Sequence, residues 1–280
     1  MELRQTQFIE TILERFQHQD CHSAALPLDP GSKWSVKDSP KTPAEKMIAE
    51  GEFQFRNFNG SVLYLAVATR PDLAYPCSKM GHVQSKPGKV HNSDAKHLLH
   101  YLQGTKHLGL VYTGGLANAN VLDGYVDASW GDCVDTFRST TGFCFMLNGG
   151  AVSWFSKKQT TVAQSTTESE YISTAPAACE AVSLRAIAKE LCIEQMEPTV
   201  LYEDNYGCVQ LTKDEVLHKK SKHVNVKYHK IRELVRNKVV RIQQVPTNEQ
   251  TADILTKLFS SAKKLEYLRS RILGYSPLSQ

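Results

Sequence analysis

The second half of the chain predicts an α/β domain on a mixed sheet, preceded by a smaller, mostly helical region. Three observations predict it. From residue 121 the apolar spacing changes from helical to alternating, with a hairpin signal at Asn148-Gly149. A long helical segment, Ser165–Leu191, follows, with Ser165 or Thr166 as a natural N-cap and Glu168 and Glu170 in its first turns. Strand-like and helical runs then alternate, giving three strands, helix, strand, helices, strand, helix.

Length and composition leave room for this. The 280 residues allow two modest domains or one large one, and 41% hydrophobic against 22% charged residues can bury a real core. The longest apolar run, Val62–Ala68, is far short of the ~18 residues of a membrane span. The N-terminal MELRQTQFIETILERF has no signal-peptide core. Seven Cys without a CxxC pair fit neither a disulfide scaffold nor a zinc ribbon. The expectation is a reduced, intracellular protein of cytoplasm or nucleus, away from membranes.

Taken in order, residues 1–20 read as a helix, with Phe8, Ile12, Leu13 and Phe16 spaced by three to four. The Pro/Ser/Lys-rich stretch at about 27–45 reads as loop. Phe53, Phe55 and Phe58 alternate in what reads as loop and are candidates to line a groove. Thr69-Arg70-Pro71-Asp72 marks a helix start near Pro71, and a further helix spans about Ser93–Gln103. Tyr112–Asn120 is a plausible boundary. Strands follow at Val121–Ser129, Gly142–Leu147 and Ala151–Phe155, then the long helix and a strand at Thr199–Tyr202. Val224–Arg236 reads as helix, Val239–Val245 as strand and Asn248–Phe259 as a final helix. The domains expected are 1–115, 121–260 and a tail, 261–280.

Charge is uneven. Residues 201–280 hold 15 Lys+Arg against 8 Asp+Glu, a balance of +7 that leaves −3 on the first 200 residues. His218–Arg241 alone carries nine Lys/Arg, three His and one Glu. Such a stretch reads either as a solvated helical face or as a surface that follows a phosphate backbone.

Four acids stand out by position. Asp127 lies mid-strand in GYVDASW, where an unpaired acid is costly. Asp204 ends the strand LYE, at the strand edge where α/β sheets tend to place ligands. Glu170 lies one turn into the long helix, and Asp253 opens the last helix in TNEQTADILTK. Any one alone is more commonly a cap, dipole partner or turn former. The set of four, in this order on these elements, is the signal. Converging carboxylates are what a divalent-metal site for phosphodiester hydrolysis needs.

At these residues the chain resembles a known family. GYVDASWGD…RSTTGFCFMLNGGAVSWFSKKQTTVAQSTTESEYIS…LYEDNYGCV…KHVNVKYHKIRE…VPTNEQTADILTK resembles the ribonuclease H domain of Ty1/copia-type retrotransposon Pol polyproteins over about 121–260. GSVLYLAVATRPDLAYPCSKM…HLLHYLQGTKHLGLVY is similar to the thumb and connection region of the same polyproteins. The resemblance implies a ribonuclease H-like, five-stranded mixed sheet flanked by helices. It implies hydrolysis of the RNA strand of RNA–DNA hybrids with two Mg²⁺ ions, or Mn²⁺, held by Asp127, Glu170, Asp204 and Asp253. Asp127 would bridge both ions, and Glu168 is the weaker choice for the helix acid. Lys219, Lys220, Lys222, Lys227, Lys230 and Arg232 would contact the nucleic-acid backbone.

Departures set the alternative. No YxDD-type loop occurs, so polymerase activity is not expected, and the missing reverse transcriptase palm would be a partner. Pro176 falls inside the helix of Glu170, where an interior Pro kinks a helix. Ser129 and Asn225 stand where the family often has acids. The alternative is an inactive remnant that binds nucleic acid or serves as a non-enzymatic interaction protein.

Overall fold

The structure is a computed structural model and describes residues 1–115, 119–213 and 222–275. Its first part holds β1 (Glu2–Arg4), α1 (Thr6–Arg15), α2 (Pro43–Glu52), α3 (Phe55–Ala68), α4 (Ala74–Val83), α5 (Lys89–Thr105) and β2 (Gly109–Val111). β1 pairs antiparallel with β2, Glu2 opposite Val111, so the N-terminus opens as a strand before the expected helix. Thr42 accepts a hydrogen bond from the Glu45 amide and Pro43 occupies the first turn, which starts α2 where loop was expected. Pro71–Leu73 is a short 3₁₀ turn that leads into α4.

The second part holds β3 (Asp123–Ser129), β4 (Thr140–Leu147), β5 (Gly150–Lys158), α6 (Thr166–Glu190), β6 (Thr199–Glu203), α7 (Tyr206–Lys213), α8 (Lys222–Arg236), β7 (Val240–Gln244) and α9 (Ala262–Leu273). The sheet order is β5-β4-β3-β6-β7. β3, β4 and β5 are antiparallel, while β6 and β7 run parallel to β3. This is the ribonuclease H-like mixed sheet. Asn148 and Gly149 both take positive φ, 52° and 88°, as a two-residue hairpin between β4 and β5 requires. Ser165 caps α6 by accepting from the Glu168 amide, and the helix runs unbroken to Glu190 with Pro176 inside it.

Each sheet face has its own core. On one face Val126, Phe143, Phe145, Leu201 and Ile242 pack against Tyr171, Ala178 and Ala181 of α6 and Ile231 and Leu234 of α8. The other core joins Cys144 and Ala151 of the sheet to Ile9, Ile12 and Leu13 of α1, Leu65 of α3 and Leu98 and Leu102 of α5. Phe53, Phe55 and Phe58 belong to this core and are not groove-lining, because α3 begins at Phe55 and turns its aromatic face inward. Residues 261–280, expected as a tail, carry α9, whose Leu265, Leu268, Ile272 and Leu273 complete the same core. Among the described residues no helix is long and apolar enough to cross a membrane.

One expected element differs in kind. Asn248–Phe259 is not a helix but two short 3₁₀ turns, Thr247–Glu249 and Thr251–Leu255. The reason is tertiary anchoring. Gln250, between them, is fully buried and donates to the Val126 carbonyl at 2.9 Å, while its Oε1 accepts from the Ala252 amide. Those bonds hold Gln250 extended and stop a continuous helix.

A buried ion pair ties α9 to the helical part. Arg70 donates to both oxygens of Asp72, at 2.9 and 2.7 Å, and to the Thr105 carbonyl at 3.1 Å. The Tyr101 hydroxyl donates to Asp72 at 2.7 Å and accepts from Arg269 of α9 at 3.1 Å. Both side chains of the pair are fully buried. Removing one member leaves the other charge uncompensated, so Asp72→Ala is expected to cost about 3–5 kcal/mol. Urea unfolding of the full chain checks this, and a loss below ~1 kcal/mol would mean that the pair behaves like a solvated one.

Candidate active site

Asp127 sits on the central strand, opposite Gly142 of β4. A Cβ at Gly142 would lie 2.5 Å from Thr256 Cγ2 and 2.9 Å from Leu255 Cβ, so glycine lets the 251–256 turn press onto the sheet. That approach delivers Asp253, Thr256 and Lys257 to Asp127. Thr256 Oγ1 donates to Asp127 Oδ2. Lys257 Nζ donates to Asp127 Oδ1 at 3.1 Å and to Asp253 Oδ1 at 2.7 Å. Lys264 of α9 donates to Asp253 Oδ2 at 3.0 Å.

From the other side come Glu170 and Asp204. Glu168 is committed to the cap of α6, accepting from the Gln164 amide at 2.7 Å, which leaves Glu170 to face the sheet. Glu170 is 6% exposed and its Oε2 has no protein partner. Asp204 follows β6 directly and is half-buried. Asp127, Glu170 and Asp204 each bring one carboxylate oxygen into a set lying within 4.8 Å of one another. Asp253 is also buried and shares Lys257 with Asp127, but both its oxygens already carry an ammonium group.

A fifth acid, Glu203, ends β6 fully buried. Its Oε1 accepts from the Asn205 amide at 3.1 Å, and its Oε2 has no protein partner. Sequence reasoning passed over it in favour of Asp204. The signal was present: Glu203 alternates with Leu201, a core residue, on the inward face of the strand. Lys257 was likewise overlooked, although it stands four residues after Asp253.

Burial and crowding show in the titration of these groups. The Asp127 carboxyl is pushed up to about 6, first by burial and then by Asp253 and Asp204, against the pull of Lys257. Glu170 is raised well above its ordinary value by burial, Glu203 and Asp127. Glu203 is raised by burial and by Asp127 and Asp204, against the Asn205 hydrogen bond. Burial works against the Lys257 ammonium, but Asp127 and Asp253 more than offset it and hold it charged.

An all-oxygen set with an unpartnered buried carboxylate oxygen suits a hard divalent cation such as Mg²⁺ or Mn²⁺. The residues present fit one such ion on the Asp127–Glu170–Asp204 side. On the Asp253 side both oxygens of Asp253 already pair with ammonium groups, Lys257 and Lys264.

Of the basic residues named from sequence, Lys219 and Lys220 lie outside the described residues, as do the side chains of Lys222 and Lys227 on α8. Lys230 is exposed and pairs with Glu233 at 3.4 Å. Arg232 donates to the Leu211 carbonyl at 3.3 Å.

No protein-family model matches the chain. It is 37% identical over 256 residues to the retrovirus-related Pol polyprotein from transposon TNT 1-94 of Nicotiana tabacum, covering 91% of this chain and 19% of that protein. It is 34% identical over 262 residues to the retrovirus-related Pol polyprotein from transposon RE1 of Arabidopsis thaliana, covering 93% and 17%. The chain thus spans less than a fifth of the length of these relatives. Among solved structures, the LC11 ribonuclease H1 isolated from compost superposes with a TM-score of 0.38 at 15% identity, over 49% of this chain and 93% of that one.

The raised carboxyl pKa values carry a consequence for stability. A group that binds its proton more tightly in the folded chain lowers stability as pH rises through its titration range, which for Asp127 runs from 3.8 to about 6. Glu203→Gln removes one such charge and keeps an acceptor for Asn205. Without divalent ions, its stability gain over wild type is expected near zero at about pH 4 and to grow as pH rises to about 7. Urea unfolding at the two pH values measures the difference. A variant no more stable than wild type at neutral pH would show that Glu203 is not repelled.

Proposed function

The chain belongs to the retrovirus-related Pol polyproteins of Ty1/copia-type transposons, and on that premise we propose that residues 121–260 hydrolyse the RNA strand of RNA–DNA hybrids. The observation that carries this reading is the meeting of Asp127, Glu170 and Asp204 within 4.8 Å, with a buried Glu170 oxygen left unpartnered. Residues 1–115 are read as the thumb and connection part of the reverse transcriptase, whose palm would be a partner. No polymerase activity is assigned to them.

Hydrolysis joins a water oxygen to phosphorus and breaks the bond to the 3′-oxygen, leaving 5′-phosphate and 3′-hydroxyl ends. A bound Mg²⁺ or Mn²⁺ supplies charge compensation at phosphorus and a more acidic water. Asp127, Glu170 and Asp204 would hold that ion. Asp127 is kept in place by Thr256 and Lys257, and Asp253 holds the Lys257 ammonium against it. That ammonium also lowers the negative potential that a phosphodiester meets on approach. Lys230, exposed on α8, offers a phosphate contact without base readout. Choice of the RNA strand would rest on 2′-hydroxyl contacts in the wide minor groove.

The test is cleavage of an end-labelled RNA–DNA hybrid by the full chain. Mg²⁺-dependent cutting of the RNA strand is expected, with Asp127→Asn slower by roughly 10³-fold or more at unchanged fold. Salt-sensitive hybrid binding without turnover by the folded wild type would instead support a nucleic-acid-binding remnant.

A further inference from the structure

We propose that Lys257 is the built-in cation of the Asp253 side of this site, so that the chain takes a single divalent ion, on the Asp127–Glu170–Asp204 side. The inference rests on the hydrolase reading above and makes it narrower: one metal ion and one fixed ammonium in place of a metal pair.

The two sides of Asp127 are unequal. On the Asp253 side every carboxylate oxygen is engaged. Asp127 Oδ1 and Asp253 Oδ1 share Lys257 at 3.1 and 2.7 Å, Asp253 Oδ2 accepts from Lys264 at 3.0 Å, and Asp127 Oδ2 accepts from Thr256. On the Glu170 side, Glu170 Oε2 and Glu203 Oε2 are buried with no protein partner. Asp127 belongs to both sides and each of its oxygens already accepts one hydrogen bond, so the difference lies in its neighbours: Glu170 keeps a bare oxygen, whereas Asp253 has both of its oxygens on ammonium groups.

Lys257 is also built into its place. Its backbone amide donates to the Asp253 carbonyl at 3.0 Å, which sets its stem on the same turn as that acid. The side chain is only 36% exposed, and an ammonium has three donors, of which two are spent on the acids. The third proton is left for a phosphate oxygen. A second metal ion would have to break two charge-assisted hydrogen bonds here and a third at Lys264.

The rival is that Lys257 only fills the gap until a second ion displaces it. Calorimetric titration of the full chain with Mn²⁺ separates the two. One ion per chain is expected for wild type and two for Lys257→Met, while Lys257→Arg keeps one. Should Lys257→Met fail to fold, Asp253→Asn and Glu170→Gln decide. Asp253→Asn should leave the single Mn²⁺ affinity within about threefold, and Glu170→Gln should weaken it by more than about tenfold. Two ions on wild type, or loss of the ion in Asp253→Asn, would overturn the role of Lys257 and leave the hydrolase reading standing. A folded wild type that binds no Mn²⁺ would overturn both.

Discussion

Everything at this site follows from the repulsion among carboxylates held too close together and too far from water. Three acid oxygens lie within 4.8 Å of one another, a separation at which two like charges repel by roughly 3 kcal/mol at an effective dielectric near 20. Burial adds to that cost, because a desolvated charge has lost its hydration. Such an arrangement survives only if cations are part of the design. Lys257 and Lys264 supply two from within the chain. The unpartnered oxygens of Glu170 and Glu203 mark where positive charge must still come from outside, or a proton must remain.

The helical part of the chain bears directly on this geometry. Asp253 rides on a short 3₁₀ turn, and Lys257 lies two residues past its end. The turn is held from beneath by Gln250 on the β3 backbone and from above by α9. α9 in turn is held by apolar contacts with the helices of residues 1–111 and by Arg269, which reaches the Tyr101–Asp72–Arg70 cluster. Two compositional halves thus share one core, and the placement of the fourth acid depends on the integrity of both. The basic, helical and β-rich segments look separable by composition, but the contacts cross the boundary.

What the sequence made legible was local. The Asn148-Gly149 hairpin, the Ser165 cap, the strand around Asp127 and the order of the four acids all depend on nearest neighbours or on fixed periods. What it hid was set by distant contacts. β1 pairs with a strand more than a hundred residues away, so its three residues carry no signal of their own. The 251–255 turn has helix-forming residues, but Gln250 and Gly142 override that preference by fixing the backbone against the sheet. Phe53, Phe55 and Phe58 looked alternating because a helix start at Phe55 was not visible. Glu203 and Lys257 were readable in principle, one from alternation and one from i,i+4 spacing. Each was eclipsed by a more conspicuous acid beside it.

Charge balance links these two overlooked residues to the chemistry. Five carboxyl groups surround Asp127, counting itself, Glu170, Glu203, Asp204 and Asp253, and two ammonium groups answer them. One divalent ion reduces the remaining excess to a single negative charge. Glu203, whose proton is held well above the ordinary carboxyl range, can retain it and bring the site to neutrality. A neutral site can accept a phosphodiester without a standing repulsion. With Glu203 protonated, a second divalent ion added beside Lys257 would leave the site at about +2, where one ion leaves it neutral. On the single-ion proposal, one metal ion with a tethered ammonium is the arrangement that brings the site closest to neutrality.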